Sequence, residues 1–234
     1  MRLLKTFVCA ILAAVPFASL PARAFQAGNL QTTIAKLNQA AKNLRSISAD
    51  FEVDTNQTEP VPDTDVLKGV TYYERNGSNR QIAAHIETEN GSPIEKVYTL
   101  AGVIFKLYEK GPGIDQVTTF RNADKFAEYV MLGFGASGSE LADKWDIRDL
   151  GPEKIGDVET EKLELVAKDP EARKHLQKVT VWMDLNRAVS LKQVFDEGQG
   201  MTRVSTYSNI RTNQPIPKDG FTFKTDKNTQ FINR

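Results

Sequence analysis

Residues 178–185 read Lys-Val-Thr-Val-Trp-Met-Asp-Leu. Val179, Val181, Met183 and Leu185 alternate with Lys178, Thr180, Trp182 and Asp184, a period of two that places one set on each face of a β-strand. The pattern continues downstream through 189–197 and 201–207, with a short terminal run at 221–224. Upstream it marks 145–150 and 160–168. Nearer the N-terminus, Ile47, Ala49, Phe51 and Val53 alternate with Ser48, Asp50, Glu52 and Asp54, and further strands follow over 66–74, 80–88, 94–100, 103–109 and 114–120. The first-half strands are separated by Asn76-Gly77, Asn90-Gly91, Ala101-Gly102 and Gly111-Pro112-Gly113. Connections that short make successive strands antiparallel. The chain thus reads as mainly β, with about eleven strands in one large curved sheet, either rolled toward a barrel or covered by helices.

Two stretches leave the period of two. Asn29 is placed to cap a helix in which Leu30, Ile34, Leu37, Ala41 and Leu44 share one face. A second helical region spans 122–143, where Phe126, Tyr129, Val130 and Phe134 share a side, and Gly133, Gly135 and Gly138 break it as a flexible hinge. Nothing resembling a linker divides the chain, which predicts a single domain.

Residues 1–24 are read separately. Arg2 and Lys5 precede an apolar stretch from Phe7 to Leu20, and Ala22-Arg23-Ala24 supplies small residues where a signal peptidase reads them. This is the pattern of a secretory signal, followed by a domain over 25–234. Of the 234 residues, 30 are basic and 30 acidic, and cleavage would remove three basic residues and Cys9, the only cysteine. The exported domain would carry no disulfide and would depend on an apolar core. The expected product is an unanchored periplasmic monomer. Its balanced charge gives no basic face for nucleic acid.

Chemical motifs are sparse. His85 lies in a strand and His175 in a polar stretch, neither with a second histidine or cysteine at ligand spacing, so no metal or cofactor is expected. The glycine cluster lacks the Gly-Lys-Ser/Thr ending of a phosphate loop, and Ser137 and Ser139 lack a nucleophile-elbow context. No catalytic constellation emerges, and the chain is read as no enzyme. The apolar surplus of so many one-sided strands under few helices leaves two readings, a lined cavity or a packed core.

Several segments carry a family resemblance: Ile47-Ser48-Ala49-Asp50-Phe51, the run Lys68-Gly69-Val70-Thr71-Tyr72-Tyr73-Glu74-Arg75, Leu163-Glu164-Leu165, residues 178–184, and Phe221-Thr222-Phe223. In this order, after a signal peptide and an amphipathic helix, they resemble the LolA-like superfamily of periplasmic lipoprotein carriers. The resemblance implies an unclosed antiparallel barrel, capped by helices, that holds lipoprotein acyl chains or another lipid between sheet and lid for transfer toward the outer membrane. Its partners would be an inner-membrane release complex and an outer-membrane acceptor.

The inward members of the alternations then supply the cavity: Phe51, Val53, Val70, Tyr72, Ile82, Ala84, Val103, Phe105, Val181 and Met183. Phe126, Tyr129, Met131, Leu132 and Phe134 supply the lid. The family's basic residue that contacts the lid matches Arg75, or in another register Arg80. Asn76 stands where the family usually has proline, and Ile82 or Ala83 where it has tryptophan. An alternative function is an envelope sensor or scaffold that binds a lipid signal and a protein partner. Such sensors usually carry a further C-terminal domain, and the short tail after Phe223 favours the carrier.

Overall fold

The computed structural model describes residues 29–123, 129 and 131–234. The expected signal segment 1–24 and Phe126 of the expected lid lie outside the described residues. Helix α1 (Leu30–Asn43) opens the described chain, and the Asn29 side chain accepts a hydrogen bond from the Thr32 amide at 3.3 Å. Asparagine suits that position because its oxygen satisfies an amide that the helix leaves without a partner. Six strands follow: β1 (Ser46–Gln57), β2 (Asp63–Asn76), β3 (Asn79–Glu89), β4 (Ser92–Ala101), β5 (Ile104–Gly111) and β6 (Ile114–Phe120). After a covering segment come α2 (Gly138–Lys144), β7 (Trp145–Ile155), β8 (Val158–Ala167) and the single turn α3 (Pro170–Arg173). The chain ends with β9 (Lys178–Asp184), β10 (Val189–Gly198), β11 (Met201–Thr212) and β12 (Gln230–Asn233).

All twelve strands join one sheet in the order β12-β6-β5-β4-β3-β2-β1-β11-β10-β9-β8-β7. The two halves are antiparallel meanders that meet where β1 pairs with β11, and β7 and β12 form the two ends. The result is an unclosed, mainly β architecture with few helices, as the sequence predicts. Two details differ. Residues 221–224 form no strand, and the last strand is Gln230–Asn233, which pairs with β6 in parallel. A parallel partner needs a long return connection. Residues 213–229 provide it by passing over the convex face of the sheet.

That strap explains the ending Phe-Thr-Phe. Phe221 packs edge-on against Tyr72, and Phe223 stacks on Tyr108 with ring centroids 4.9 Å apart. The His85 Nε2 donates to the Gly220 carbonyl at 2.9 Å, and Lys110 reaches Asp226 at 3.4 Å. Val97, Tyr108 and Val117 form a small buried cluster beneath Phe223. The convex face is therefore partly apolar as well as the concave one.

On the concave side, α1 and α2 lie against one another and against β7. Leu37, Ala41 and Leu141 there bury the inward residues of β7 to β10, including Leu163, Leu165, Val179, Val181 and Met183. A second cluster continues toward the first half of the sheet through Leu44, Ile47, Ala49, Tyr73, Ile82, Leu100, Phe134 and Val189.

The glycine cluster is a packing element, which corrects the expectation of a flexible hinge. Gly133 accepts from the Ser190 amide at 2.8 Å, Gly135 donates to Ala188 at 3.0 Å, and the Gln193 amide donates to Leu132 at 2.6 Å. A Cβ on Gly133 would lie 2.4 Å from the Gln193 side chain, and one on Gly138 would lie 2.5 Å from the Ile34 carbonyl oxygen of α1. These glycines let the covering segment sit directly on its neighbours. Helix α2 then starts at Ser137, whose side chain accepts from the Glu140 amide while Glu140 accepts from the Ser137 amide. This reciprocal pair satisfies two amides at the helix start.

Arg75 closes the other end of α1. Its guanidinium donates to the carbonyls of Ala41, Lys42 (3.3 Å) and Leu44 (2.7 Å), where the helix leaves acceptors unpaired and its dipole is negative. Arg75→Met is expected to lower stability by about 1–2 kcal/mol, the scale of charge-assisted hydrogen bonds at a helix end. Urea unfolding would measure it, and an unchanged midpoint would contradict this role.

Candidate functional site

Pairing fixes which side chains point into the concave face. Phe51 stands opposite Gly69 and Tyr207, Val53 opposite Leu67 and Ser205, Thr71 opposite Ala84, and Ala84 opposite Tyr98. Residues directly opposite share a face, so these form a continuous inner surface across β11, β1, β2, β3 and β4. Between that surface and the covering residues Tyr129 and Phe134 lies a cavity of about 300 Å³. Phe51, Val53, Leu67, Ile82, Ala84 and Ile86 give it apolar walls, Tyr98, Phe195 and Tyr207 add aromatic ones, and Arg203 is the one charged residue among the described lining. Phe134 is held there by an edge-on contact with Tyr207 at 4.9 Å and by a bridge to Val189.

A second space of about 420 Å³ adjoins the first and shares Tyr129, Phe195 and Arg203 with it. Its rim is polar, with Asp169, Glu171, His175 and Glu197. Polar groups of the inner cavity are mostly engaged elsewhere: Thr71 donates to the Ala83 carbonyl and Gln193 to the Leu132 carbonyl. Loss of water around the phenol raises Tyr98, and the same effect pushes Tyr207 up to about 12, so both line the cavity as neutral groups.

The expected site residues divide. Phe51, Val53, Ile82, Ala84, Tyr129 and Phe134 line the cavity. Val70 and Tyr72 point to the opposite, convex face, where Tyr72 meets His85 and Phe221. The inward set of β2 is Leu67, Gly69, Thr71 and Tyr73. Val181 and Met183 face inward but are sealed under the helices as fully packed core. Phe105 packs between Tyr98 and Phe120 beside the cavity. Val103 is 48% exposed at the β4–β5 turn. Leu132 is core, and Met131 lines a groove with Arg80 and Glu140.

The two candidate basic residues have separate tasks. Arg75 holds the end of α1, whereas Arg80 forms a 2.5 Å ion pair with Glu140 at the start of α2. Burial opposes ionisation of Glu140, yet the Ser137 amide and the Arg80 guanidinium hold its carboxyl below the usual value. The Arg80 pair thus ties the β2–β3 hairpin to the cover. Sequence reasoning missed Leu67, Ile86, Tyr98, Phe195, Arg203 and Tyr207. The alternation Met201, Arg203, Ser205, Tyr207 was available as a signal, but an arginine and a serine disguise it as a wet face.

A buried polar cluster lies outside the cavity, beneath α1. Thr33 donates to the Asp149 carboxylate at 2.7 Å, and the Gly151 amide donates to its other oxygen at 2.9 Å. Loss of water, a hydrogen bond with Asp149 and the charge of that carboxylate push Glu161 up to about 7, while Lys36 pulls the other way. A carboxyl raised in the folded state binds its proton more tightly there than in the unfolded chain. The stabilisation it gives is complete below about 4.5 and is lost as pH rises through about 7. Glu161→Gln is therefore expected to match wild type near pH 5 and to exceed it by about 1 kcal/mol near pH 8, a figure reduced because Glu161 is half-exposed. Unfolding at both pH values checks it. A constant difference between them would contradict the assignment.

Among the described residues no group of three or more His, Cys, Asp or Glu side chains is placed to hold a metal, and no helix is long and apolar enough to cross a membrane. No family model and no curated protein matches the sequence. Solved structures do match. An uncharacterized conserved protein from Thermus thermophilus aligns with a TM-score of 0.55 at 10% identity, over 87% of this chain and 98% of that one. MucB aligns with a TM-score of 0.51 at 11% identity, over 83% of this chain and 62% of its own. A LolA superfamily protein from Nitrosomonas europaea aligns with a TM-score of 0.39 at 15% identity, over 84% and 99%. At such identities the likeness concerns the fold. The open, mainly antiparallel sheet, capped on its concave side, is a fold shared with the Thermus thermophilus protein and with MucB.

Proposed function

We propose that this protein is a non-catalytic periplasmic carrier that takes the acyl chains of a lipoprotein or another lipid into its concave cavity, for transfer toward the outer membrane. The observation that carries the reading is the cavity itself, an apolar space of about 300 Å³ between an open sheet and its cover. Each methylene moved from water into such a space gains about 0.8 kcal/mol, so an acyl chain needs apolar walls and few oriented polar groups. An unclosed sheet suits a carrier because cargo can leave without the strand ladder being broken. The hydrogen-bonded Gly133 and Gly135 fix the base of the cover.

Titration with a fluorescent fatty acyl probe tests the reading, together with native mass spectrometry of protein purified from its own cell envelope. One bound lipid or lipoprotein per chain is expected. An empty protein that also refuses the probe would sink it. The sensor or scaffold reading draws on the fold shared with MucB and would be preferred if a protein partner, rather than lipid alone, accompanied the chain at fixed stoichiometry.

A further inference from the structure

We infer that the occupant of the cavity is a single acyl chain ending in a singly charged oxyanion, and that Arg203 receives that head. The inference rests on the cavity reading above and adds to it the number of chains and the chemistry of the head. Size comes first. A methylene takes up about as much room as a water molecule, roughly 30 Å³, so about 300 Å³ accommodates one chain of about ten methylenes. Two or three parallel chains exceed this inner space, and the adjoining space of about 420 Å³, with Asp169, Glu171, His175 and Glu197 on its rim, is left to the head.

The charge pattern identifies the head. Arg203 stands on the wall shared by the inner cavity and the outer space. Its guanidinium lies over the Phe195 ring at 4.5 Å, which fixes its plane, and one terminal nitrogen meets Glu197 at 3.2 Å. Guanidinium carries five N–H donors. The Nε donor of Arg203 is buried and finds no acceptor among the described residues. A buried donor without a partner is rare and costly, and is a place where a ligand oxygen belongs. An oxygen arriving at the end of an acyl chain supplies that acceptor while the chain occupies the apolar walls.

The rim limits the charge of the head. On the rim, which His175 shares, Glu197 engages Arg203 at 3.2 Å, Glu171 is paired with Lys174 at 2.8 Å, and Asp169 accepts from the Glu171 amide. One negative charge at the guanidinium is tolerated beside them, whereas a second meets repulsion. The geometry favours a carboxylate over a doubly charged phosphate.

Binding of dodecanoate, dodecyl phosphate, dodecanol and a two-chain phosphatidate to the purified protein near pH 8 separates these elements. Dodecanoate is expected to bind about tenfold more tightly than dodecanol, the scale of one charge-assisted hydrogen bond, with dodecyl phosphate weaker than dodecanoate and the two-chain lipid weakest. Arg203→Met is expected to weaken dodecanoate about tenfold and dodecanol by less, because the hydroxyl oxygen is only a neutral acceptor for the Arg203 Nε. Arg203→Lys, which keeps the charge but removes the Nε donor, is expected to fall between. Equal binding of dodecanol and dodecanoate by wild type, a measurement that needs no variant to fold, overturns the head assignment and leaves the carrier reading intact. Two-chain lipid bound as tightly as dodecanoate overturns the single-chain assignment. Failure of every acyl compound to bind overturns the carrier reading with it.

Discussion

Gly69→Ala is expected to destabilise the protein by about 3 kcal/mol or more, the upper range for overpacking a well-filled site. Gly69 lies in β2 at a point where the β2–β3 register shifts between Lys68 and Gly69. A Cβ there would stand 1.9 Å from the His85 carbonyl oxygen, 2.9 Å from its carbonyl carbon and 3.0 Å from the Ile86 Cα. All three are backbone atoms, so no side-chain rotation relieves the clash. His85 is also tied to the Gly220 carbonyl of the strap, which opposes a shift of β3. The extra methyl must therefore open the ladder locally or push β3 and the strap outward together. Urea unfolding of the variant measures the loss. Stability within about 1 kcal/mol of wild type would show that β3 yields more readily than its contacts indicate.

Ala84→Trp is expected to reduce acyl-probe affinity by more than about tenfold while the protein remains folded. Ala84 sits at the centre of the inner surface, between Thr71 of β2 and Tyr98 of β4. It is small and only half-buried because the space in front of it is the cavity. Indole at this position would occupy the volume that an acyl chain needs, so the variant exchanges cargo for its own side chain. Filling empty apolar space costs little when nothing is displaced. Unimpaired uptake by a folded Ala84→Trp protein would place the acyl chains elsewhere. Ala83→Trp is no substitute for this test, because Ala83 faces the other side of β3 and is fully packed.

Much of the architecture was legible from periodicity. Strands β1 to β11 are all marked by alternating residues, and Asn-Gly or Gly-Pro-Gly turns require antiparallel neighbours, as the register confirms. Helix α1 was announced by Asn29 and by the spacing of Leu37, Ala41 and Leu44, all three of which are buried. The second helical region was harder to place. Its glycines looked like breaks, whereas Gly133 and Gly138 are positions where backbone presses against a neighbouring side chain or helix.

The candidate site was legible only in part, and β2 shows why. Val70 and Tyr72 alternate as cleanly as Leu67, Thr71 and Tyr73, since both faces of this strand are covered. A period of two assigns residues to two faces and leaves open which face is inward. Pairing of Leu67 with Val53 decides it, and the strap that covers Tyr72 explains why the outward set is also apolar.

By itself, then, the sequence determined strands β1 to β11, helix α1 and the antiparallel meander, because these depend on local period and turn length. The tertiary structure decided everything that depends on residues far apart in the chain. It selected the cavity-facing set of β2 and turned the ending Phe-Thr-Phe from a strand into a strap. It sealed Val181 and Met183 beneath α1 and α2, joined Glu161 to Asp149 and Thr33, and set Arg203 on the wall of an apolar space. Packing is a relation between distant segments, and no local pattern encodes which distant segment will arrive.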